Sequence, residues 1–268
     1  MTKTKIDEKL ITRQVKRKVQ NLTIKLAVTG KSGSGKTTIV KAFMHIFEKM
    51  YPEKSILLFD NDLTSELAHS FGLDIRNTIY GIRSGKHEYK TGIPEDMTKQ
   101  EFIEWAMEEI IVSINDNVDI IESWFVGSKD CRCPITKQIN DAVEKLIERY
   151  DFVIFDCEFD LKYLNQLVDV EIDSTVIITN PSEDSAHLAQ RIKEFSAKHA
   201  AGNQLGVIIN KVDNNALETL SGLLKKYELD IVGVIPYDEN LEHNQVSKDS
   251  QVVQNAIESF YPRLNLPQ

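Results

Sequence analysis

The segment from Gly30 to Thr38 reads GKSGSGKTT and has the residue types and spacing of a phosphate-binding loop. It fits the pattern G-x-x-x-x-G-K-[ST], in which glycines let backbone N–H groups turn toward phosphate oxygens. We expect Lys36 to reach the β- and γ-phosphates and the Thr37 hydroxyl to bind Mg²⁺. The sequence therefore predicts that a nucleoside triphosphate binds residues Gly30, Lys31, Ser32, Gly33, Ser34, Gly35, Lys36, Thr37 and Thr38.

The residues on either side of this loop indicate the elements that position it. Residues 24–29 are apolar enough for a buried strand, and residues 38–47 have the pattern of a helix. Such a helix directs its positive N-terminal end at a bound anion. A glycine-rich turn that matched the motif by chance would lack this order of strand, loop and helix.

Two other predicted strands end in carboxylates. Residues 55–60 end in Asp60, with Asp62 two positions later, and residues 151–156 end in Asp156. We interpret Asp62 as the residue that orients the attacking water, and Asp60 as a support for Mg²⁺ or for the loop. Asp156 is the candidate to hold the water shell of Mg²⁺. The alternative is that these carboxylates only cap the helices that follow.

A second lysine, Lys31, lies five positions before Lys36. So close to the start of the loop, its side chain does not fold back easily onto its own phosphates, and it points either into solvent or toward a second subunit. The segment resembles the deviant Walker A motif of the MinD/ParA/NifH group. That resemblance implies a homodimer in which Lys31 crosses the interface and acts with Lys36 and Asp62 in catalysis.

Two segments of the sequence are candidates to contact the base of the nucleotide. The sequence Asn210-Lys211-Val212-Asp213 fits N-K-x-D, in which the aspartate reads guanine. Further along, Pro236 and Asp238 follow the predicted strand 231–235 and resemble the adenine-side loop of MinD-like ATPases. We therefore predict that Asn210, Lys211, Pro236 and Asp238 bind the nucleotide and that ATP is preferred, with GTP as the alternative.

Cys131 and Cys133 form a C-x-C pair directly before Pro134. Two thiolates at this spacing suit a soft or borderline metal such as Ni²⁺, Zn²⁺ or Cu⁺. A four-coordinate site needs four ligands, which a symmetric dimer would supply by contributing both cysteines twice. The flanking residues 128–130 are polar, which favours this Ni²⁺ or Zn²⁺ site at the dimer interface over the alternative of two buried cysteines.

Composition sets limits on compartment and partners. The 268 residues carry a net charge of −9, which predicts no general affinity for nucleic acid. Residues 1–20 contain seven Lys or Arg and form a basic extension, more often solvated than docked on a partner or an anionic membrane. The absence of a secretory signal and of an apolar run of about 18 residues predicts a cytoplasmic protein without membrane binding. In that compartment the three cysteines do not form structural disulfides.

The alternation of short apolar runs with helical patterns predicts the fold. Strands are expected at 24–29, 55–60, 151–156, 174–179, 205–210 and 231–235, and helices at 98–114, 134–145, 184–198 and 216–227. Residues 21–268 are therefore expected to form a single three-layer α/β/α P-loop domain with a mostly parallel central sheet. Ligands of such sheets bind beyond the carboxyl ends of the strands, where the motifs above fall.

Together these motifs resemble the CO dehydrogenase maturation factors, the CooC-like nickel-insertion ATPases. The resemblance covers about residues 22–250 and rests on segments 31–38, 60–62, 126–127, 131–134, 151–158, 207–212 and 233–238. It implies an ATP-dependent metallochaperone whose dimer cycle assists nickel insertion into a client metalloenzyme. The alternatives are a MinD/ParA-like ATPase switch without metal, a HypB- or UreG-like GTPase, and a small-molecule kinase.

Overall fold

The computed structural model describes residues 22–62, 64–84, 93–123, 134–157, 172–199, 204–213, 222, 226–243, 249–264 and 266. Within these residues one sheet runs through the molecule in the order β3-β4-β2-β5-β1-β6-β7-β8. All neighbouring strands are parallel except the pair β3 and β4, which is antiparallel. The strands are β1 (Ile24–Gly30), β2 (Ile56–Asn61), β3 (Val112–Ser113), β4 (Val118–Glu122), β5 (Phe152–Cys157), β6 (Ser174–Thr179), β7 (Gln204–Val212) and β8 (Ile231–Pro236).

Helices cover both faces of this sheet, and this confirms the predicted α/β/α fold. In β2, Leu57 and Phe59 pack into one core, while Ile56 and Leu58 pack into the other, because successive side chains of a strand point to opposite faces. The helices are α1 (Lys36–Met50), α2 (Glu66–Ser70), α3 (Ile79–Ser84), α4 (Lys99–Glu109), α5 (Pro134–Ile147), α6 (Glu183–His199), α7 (Asn240–His243) and α8 (Gln251–Phe260).

All six predicted strands are present, with ends shifted by two residues at most. The prediction omitted β3 and β4, and its helix at 98–114 is too long because α4 ends at Glu109 and the chain then enters β3. A capping box begins α4, since the side chains of Thr98 and Glu101 each accept a hydrogen bond from the other's backbone N–H. Most of the predicted helix 216–227 lies outside the described residues.

Strand β4 was missed because its sequence, VDIIE, carries two acidic residues. Both are nevertheless buried in the sheet. The Asp119 carboxylate accepts a hydrogen bond of 2.6 Å from the Tyr150 hydroxyl, and Glu122 lies at the carboxyl end of the strand. A buried acid needs such partners, and they come from distant parts of the sequence.

Asp151 links the starts of β2 and β5, at the edge of the sheet opposite the phosphate loop. Its carboxylate accepts hydrogen bonds from Lys54 Nζ (2.7 Å), from the Ser55 backbone N (2.9 Å) and from Ser55 Oγ (3.0 Å). Burial by itself raises the pKa of Asp151, but these hydrogen bonds outweigh it and hold the pKa below its ordinary value.

Among the residues placed here, no helix has the length and apolar character needed to cross a membrane.

Candidate functional site

Several of the predicted nucleotide-binding residues line one cavity on the carboxyl edge of the sheet. The phosphate loop connects β1 to α1, and the cavity above it has a volume of about 620 Å³. This volume is in the range of small-molecule and cofactor sites. The cavity is lined by Ser32, Gly33, Gly35, Lys36, Thr37, Thr38, Asp62, Glu66, His69, Ser70, Asn210, Lys211, Pro236, Tyr237, Asp238, Leu241 and Val253.

Two glycines of the loop occupy positions that no other residue fits. Gly30 has φ +152°, and a Cβ there would lie 2.2 Å from the Ile178 carbonyl oxygen of β6. Gly35 has φ +95°, and a Cβ there would lie 2.4 Å from Asn210 Nδ2. Because Gly35 is also the N-cap of α1, its conformation directs the first N–H groups of that helix toward the cavity.

Two side chains near the end of β7 donate hydrogen bonds to the phosphate loop. Asn210 Nδ2 donates a hydrogen bond of 2.8 Å to the Ser34 carbonyl oxygen, and Lys211 Nζ donates one of 2.8 Å to the Gly33 carbonyl oxygen. A bulge makes this possible, since the pairing of β7 with β8 shifts register between Ile209 and Val212, and Lys211 has φ +60°. Asn210 and Lys211, which were predicted to bind the nucleotide, therefore bond to the loop as well as lining the cavity, and the sequence did not indicate the bonds to the loop.

Thr37 and Asp156 are arranged as a magnesium site requires. Thr37 Oγ1 donates a hydrogen bond of 2.9 Å to Asp156 Oδ2, and Thr37 lines the cavity while Asp156 lies behind it with no exposed surface. Mg²⁺ prefers hard oxygen ligands, and in phosphate-binding loops it contacts the protein through a hydroxyl and a carboxylate. The two residues therefore fit the predicted Mg²⁺ site.

The two aspartates after β2 have different environments. Asp62 lines the cavity, and its Oδ1 accepts hydrogen bonds of 2.8 Å from both the backbone N and the hydroxyl of Thr64. Asp60 has no exposed surface, and its carboxylate accepts from the backbone N of Asp62 (3.0 Å) and of Ala68 (3.4 Å). These bonds hold the segment that carries Asp62, a role that the sequence analysis did not predict.

A buried carboxylate that the sequence analysis missed, Glu122, lies beside Asp60. The register of the sheet pairs Asp60 with Glu122 on β4 and with Asp156 on β5, so three fully buried carboxylates form a row. Burial, followed by the charge of Asp156, raises the pKa of Asp60 well above its ordinary value. The signal for Glu122 was its position after the apolar run of β4, which became visible only when β4 was recognised as a strand.

The far end of the cavity is formed by the segment after β8. Pro236, Tyr237 and Asp238 line it, together with Leu241 and Val253. Asp238 Oδ2 accepts a hydrogen bond of 2.5 Å from Ser250 Oγ, which lowers the pKa of Asp238. Asp213, the residue that would read guanine, is not among the residues that line the cavity. The described contacts thus favour the 236–238 segment as the base-binding end.

Lys31 is not among the residues that line the cavity. Its ammonium group lies 3.9 Å from Asp184 Oδ2 at the start of α6, and both side chains are largely exposed.

Cys131 and Cys133 lie outside the described residues. Cys157 at the end of β5 is buried in the core, and burial raises the pKa of its thiol, so it packs as an apolar group. Where side chains are placed, no group of three or more His, Cys, Asp or Glu could hold a metal ion.

Comparison with known proteins agrees with this geometry. An uncharacterized ATP-binding protein of Methanocaldococcus jannaschii is 26% identical over 219 residues, which cover 81% of this chain and 85% of that protein. The MinD cell division protein of Aquifex aeolicus superposes with a TM-score of 0.64 at 17% identity, covering 92% of this chain and 99% of its own. Cobyrinic acid a,c-diamide synthase of Mycobacterium smegmatis, with a bound ATP analog and magnesium, gives 0.63 at 17% identity and covers 90% and 93%.

The family profile described as "CobQ/CobB/MinD/ParA nucleotide binding domain" matches residues 25–251. This range begins in β1, includes the phosphate loop and the segment after β8, and ends at the start of α8. It therefore includes every residue that lines the cavity except Val253. With its phosphate loop, its carboxylates at the strand ends and its mostly parallel sheet, the chain belongs to the CobQ/CobB/MinD/ParA nucleotide-binding domain family.

Proposed function

We propose that the chain binds ATP in the cavity and hydrolyses it as a nucleotide-driven switch. The observation that carries this proposal is the placement of Lys36, Asp62 and Pro236 on the walls of one cavity of about 620 Å³. A phosphate-binding group, a carboxylate for the attacking water and a base-side loop are then available to one ligand. The volume of the cavity lies in the range of small-molecule and cofactor sites.

The roles of the residues follow from their chemistry. The Lys36 ammonium group stabilises charge on the β- and γ-phosphates, and the N–H groups at the start of α1 add to it. Asp62, held by Thr64 at the wall of the cavity, orients the attacking water. Thr37 and Asp156 would hold Mg²⁺, which supplies positive charge against the triphosphate when bound.

Two observations favour ATP over GTP. The similar protein of Methanocaldococcus jannaschii is named for ATP binding, and the synthase of Mycobacterium smegmatis holds an ATP analog. In this chain Asp213 does not line the cavity, whereas Pro236 and Asp238 do. The N-K-x-D sequence is explained by the bonds from Asn210 and Lys211 to the loop, which do not depend on the base.

The test of this proposal is hydrolysis by Lys36→Ala. We expect Mg²⁺-dependent ATP hydrolysis to fall by about a hundredfold or more, since a buried cation that stabilises developing charge is removed. Lys49→Ala is the matched control, because Lys49 lies in the same helix but is largely exposed and pairs with Glu258. Normal hydrolysis by Lys36→Ala, or equal losses in both variants, would contradict the assignment of this site.

The proposed switch involves a homodimer, in which Lys31 contacts the nucleotide of the second subunit. Its exposed position beside Asp184 leaves it accessible to a partner. We expect Lys31→Ala to bind ATP nearly as wild type but to lose ATP-dependent dimerisation, measured by light scattering. Asp184→Ala is the control, since it frees Lys31 without removing the ammonium group. Normal ATP-dependent dimers of Lys31→Ala would exclude this role.

A second candidate function is that of a metallochaperone for a nickel enzyme, and the observation that favours it is the pair Cys131 and Cys133. This pair directly precedes Pro134, where α5 begins. We expect about one Ni²⁺ or Zn²⁺ per dimer, because four thiolates complete one shell. Cys131→Ser with Cys133→Ser should lose the metal and retain ATP hydrolysis, whereas the buried Cys157→Ala should keep the metal. Full metal content in the double variant would leave an ATPase switch without this cargo.

A further inference from the structure

Helix α1 carries a second buried lysine, one and a half turns after Lys36. The Lys41 side chain is only 3% exposed. Its ammonium group donates a hydrogen bond of 3.1 Å to the Ser70 carbonyl oxygen and lies 3.2 Å from Asp249 Oδ1. It also lies 4.2 Å from the centre of the Phe71 ring, within the range of a cation–π contact.

The contacts of Lys41 lead to both ends of the nucleotide cavity. Ser70 ends α2 and lines the cavity, and the same helix begins shortly after Asp62. Asp60 holds both parts of this segment, through the backbone N of Asp62 and of Ala68. On this side, Lys41 therefore fixes the end of the segment that carries the candidate catalytic carboxylate.

On the other side, Asp249 precedes Ser250, the N-cap of α8. Ser250 Oγ accepts from the backbone N of Val253 at 3.1 Å and donates to Asp238 at 2.5 Å. Asp238 and Val253 both line the base-binding end of the cavity. A shift of Asp249 relative to α1 is thus transmitted through one peptide unit to the segment expected to contact the base.

Because Lys41 is buried, the loss of these contacts would cost much free energy. An ammonium group removed from water needs partners for its charge and its protons, and breaking such an arrangement costs far more than breaking a surface ion pair. The neighbouring pair of Lys49 with Glu258 also joins α1 to α8, but Lys49 is 69% exposed. Of these two lysines of α1, it is Lys41 that combines burial with contacts to segments on both sides of the cavity.

We propose that Lys41 is a positioning residue that holds α2 and, through Asp249 and the start of α8, the base-side residue Asp238 against the phosphate-binding helix. This proposal rests on the proposed ATP site. In it, Lys41 affects the binding of the half of the ligand that the phosphate loop does not touch. The nucleoside part of ATP then depends on Lys41, whereas the triphosphate part depends on the loop. Ligands with and without a nucleoside separate these two dependences.

The test is calorimetric titration of Lys41→Met with ATP and with inorganic triphosphate. We expect ATP affinity to fall about tenfold, the loss expected when a buried charged hydrogen bond is broken, and triphosphate affinity to change less than about twofold. Lys49→Met, the matched control, should bind both ligands as wild type does. Equal losses for both ligands would mean a general effect on folding, and unchanged ATP affinity would mean no role; either result overturns the proposal.

Asp249→Asn tests the same arrangement without emptying the buried position. The Asp249 side chain is 45% exposed, so this variant should fold if Lys41→Met does not. We expect a loss of ATP affinity in the same direction, about threefold, again without a loss for triphosphate. Retained ATP affinity in Asp249→Asn contradicts the proposal by itself. Wild-type protein that binds neither ligand would instead refute the ATP site, and the role of Lys41 would fall with it.

Discussion

Replacing Asn210 with alanine tests whether β7 holds the phosphate loop or reads the base. The side-chain amide of Asn210 is 5% exposed and donates its bond of 2.8 Å to the Ser34 carbonyl oxygen. Alanine removes the donor and leaves that carbonyl without it in a buried place. The loop then loses the hydrogen bond that ties it to the end of β7.

The size of the effect follows from this burial. Leaving a buried acceptor unsatisfied costs about 1 to 3 kcal/mol, which corresponds to roughly a fivefold to hundredfold loss of affinity if the loop must be ordered to bind phosphate. Asn210→Asp should be worse than Asn210→Ala, because it places a carboxylate oxygen against the Ser34 carbonyl and near the phosphates. Asn117→Ala is the control, since Asn117 Nδ2 also donates a bond of 2.8 Å to a carbonyl, that of Pro52, but in an exposed position.

Titration with ATP, GTP and inorganic triphosphate distinguishes the two roles of Asn210. If Asn210 acts through the loop, all three ligands should lose affinity to a similar degree, and Asn117→Ala should bind them normally. If triphosphate binds Asn210→Ala as tightly as it binds wild type, the loop argument is wrong and Asn210 acts on the base. Asn210→Ala and Lys41→Met should therefore differ in their affinity for inorganic triphosphate, which falls in Asn210→Ala and stays nearly unchanged in Lys41→Met.

Three other substitutions have definite expectations. Gly35→Ala should abolish triphosphate binding, because its φ of +95° is strained for alanine and the new Cβ meets Asn210 Nδ2 at 2.4 Å; normal titration would show that the loop adapts. Asp213→Ala should leave the ratio of ATP to GTP affinity unchanged, and a loss confined to GTP would restore the guanine reading. Asp151→Asn should destabilise the fold by about 1 kcal/mol at pH 7 in urea unfolding. Because the folded-state pKa of Asp151 is lowered, its stabilisation is present above the unfolded pKa of about 4 and is lost as pH falls through the folded value, so wild type and variant should converge at low pH; a constant difference would contradict the ion-pair argument.

The sequence by itself determined the fold class, and it pointed to most of the residues that line the candidate nucleotide cavity or lie behind it. The phosphate loop was readable because its chemistry requires glycines, a lysine and a hydroxyl at fixed local spacing, and all of them lie within residues 30–38. The strands on either side of it were readable because they are buried on both faces and therefore continuously apolar. Asp62 could be picked out because it directly follows β2, and Asp156 because it lies at the carboxyl end of β5.

Only the tertiary structure decided which distant residues meet. Strand β4 was hidden because Asp119 and Glu122 interrupt its apolar pattern, and their burial depends on Tyr150 and on the register with β2. The loop-holding role of Asn210 depends on a bulge in β7, which local sequence does not specify. From its charge alone, Lys41 would be expected on a solvated helix face. In the structure it is buried and pairs with Asp249, which lies more than two hundred residues away in the sequence. Such contacts arise from packing across the sheet, which short-range periodicity does not encode.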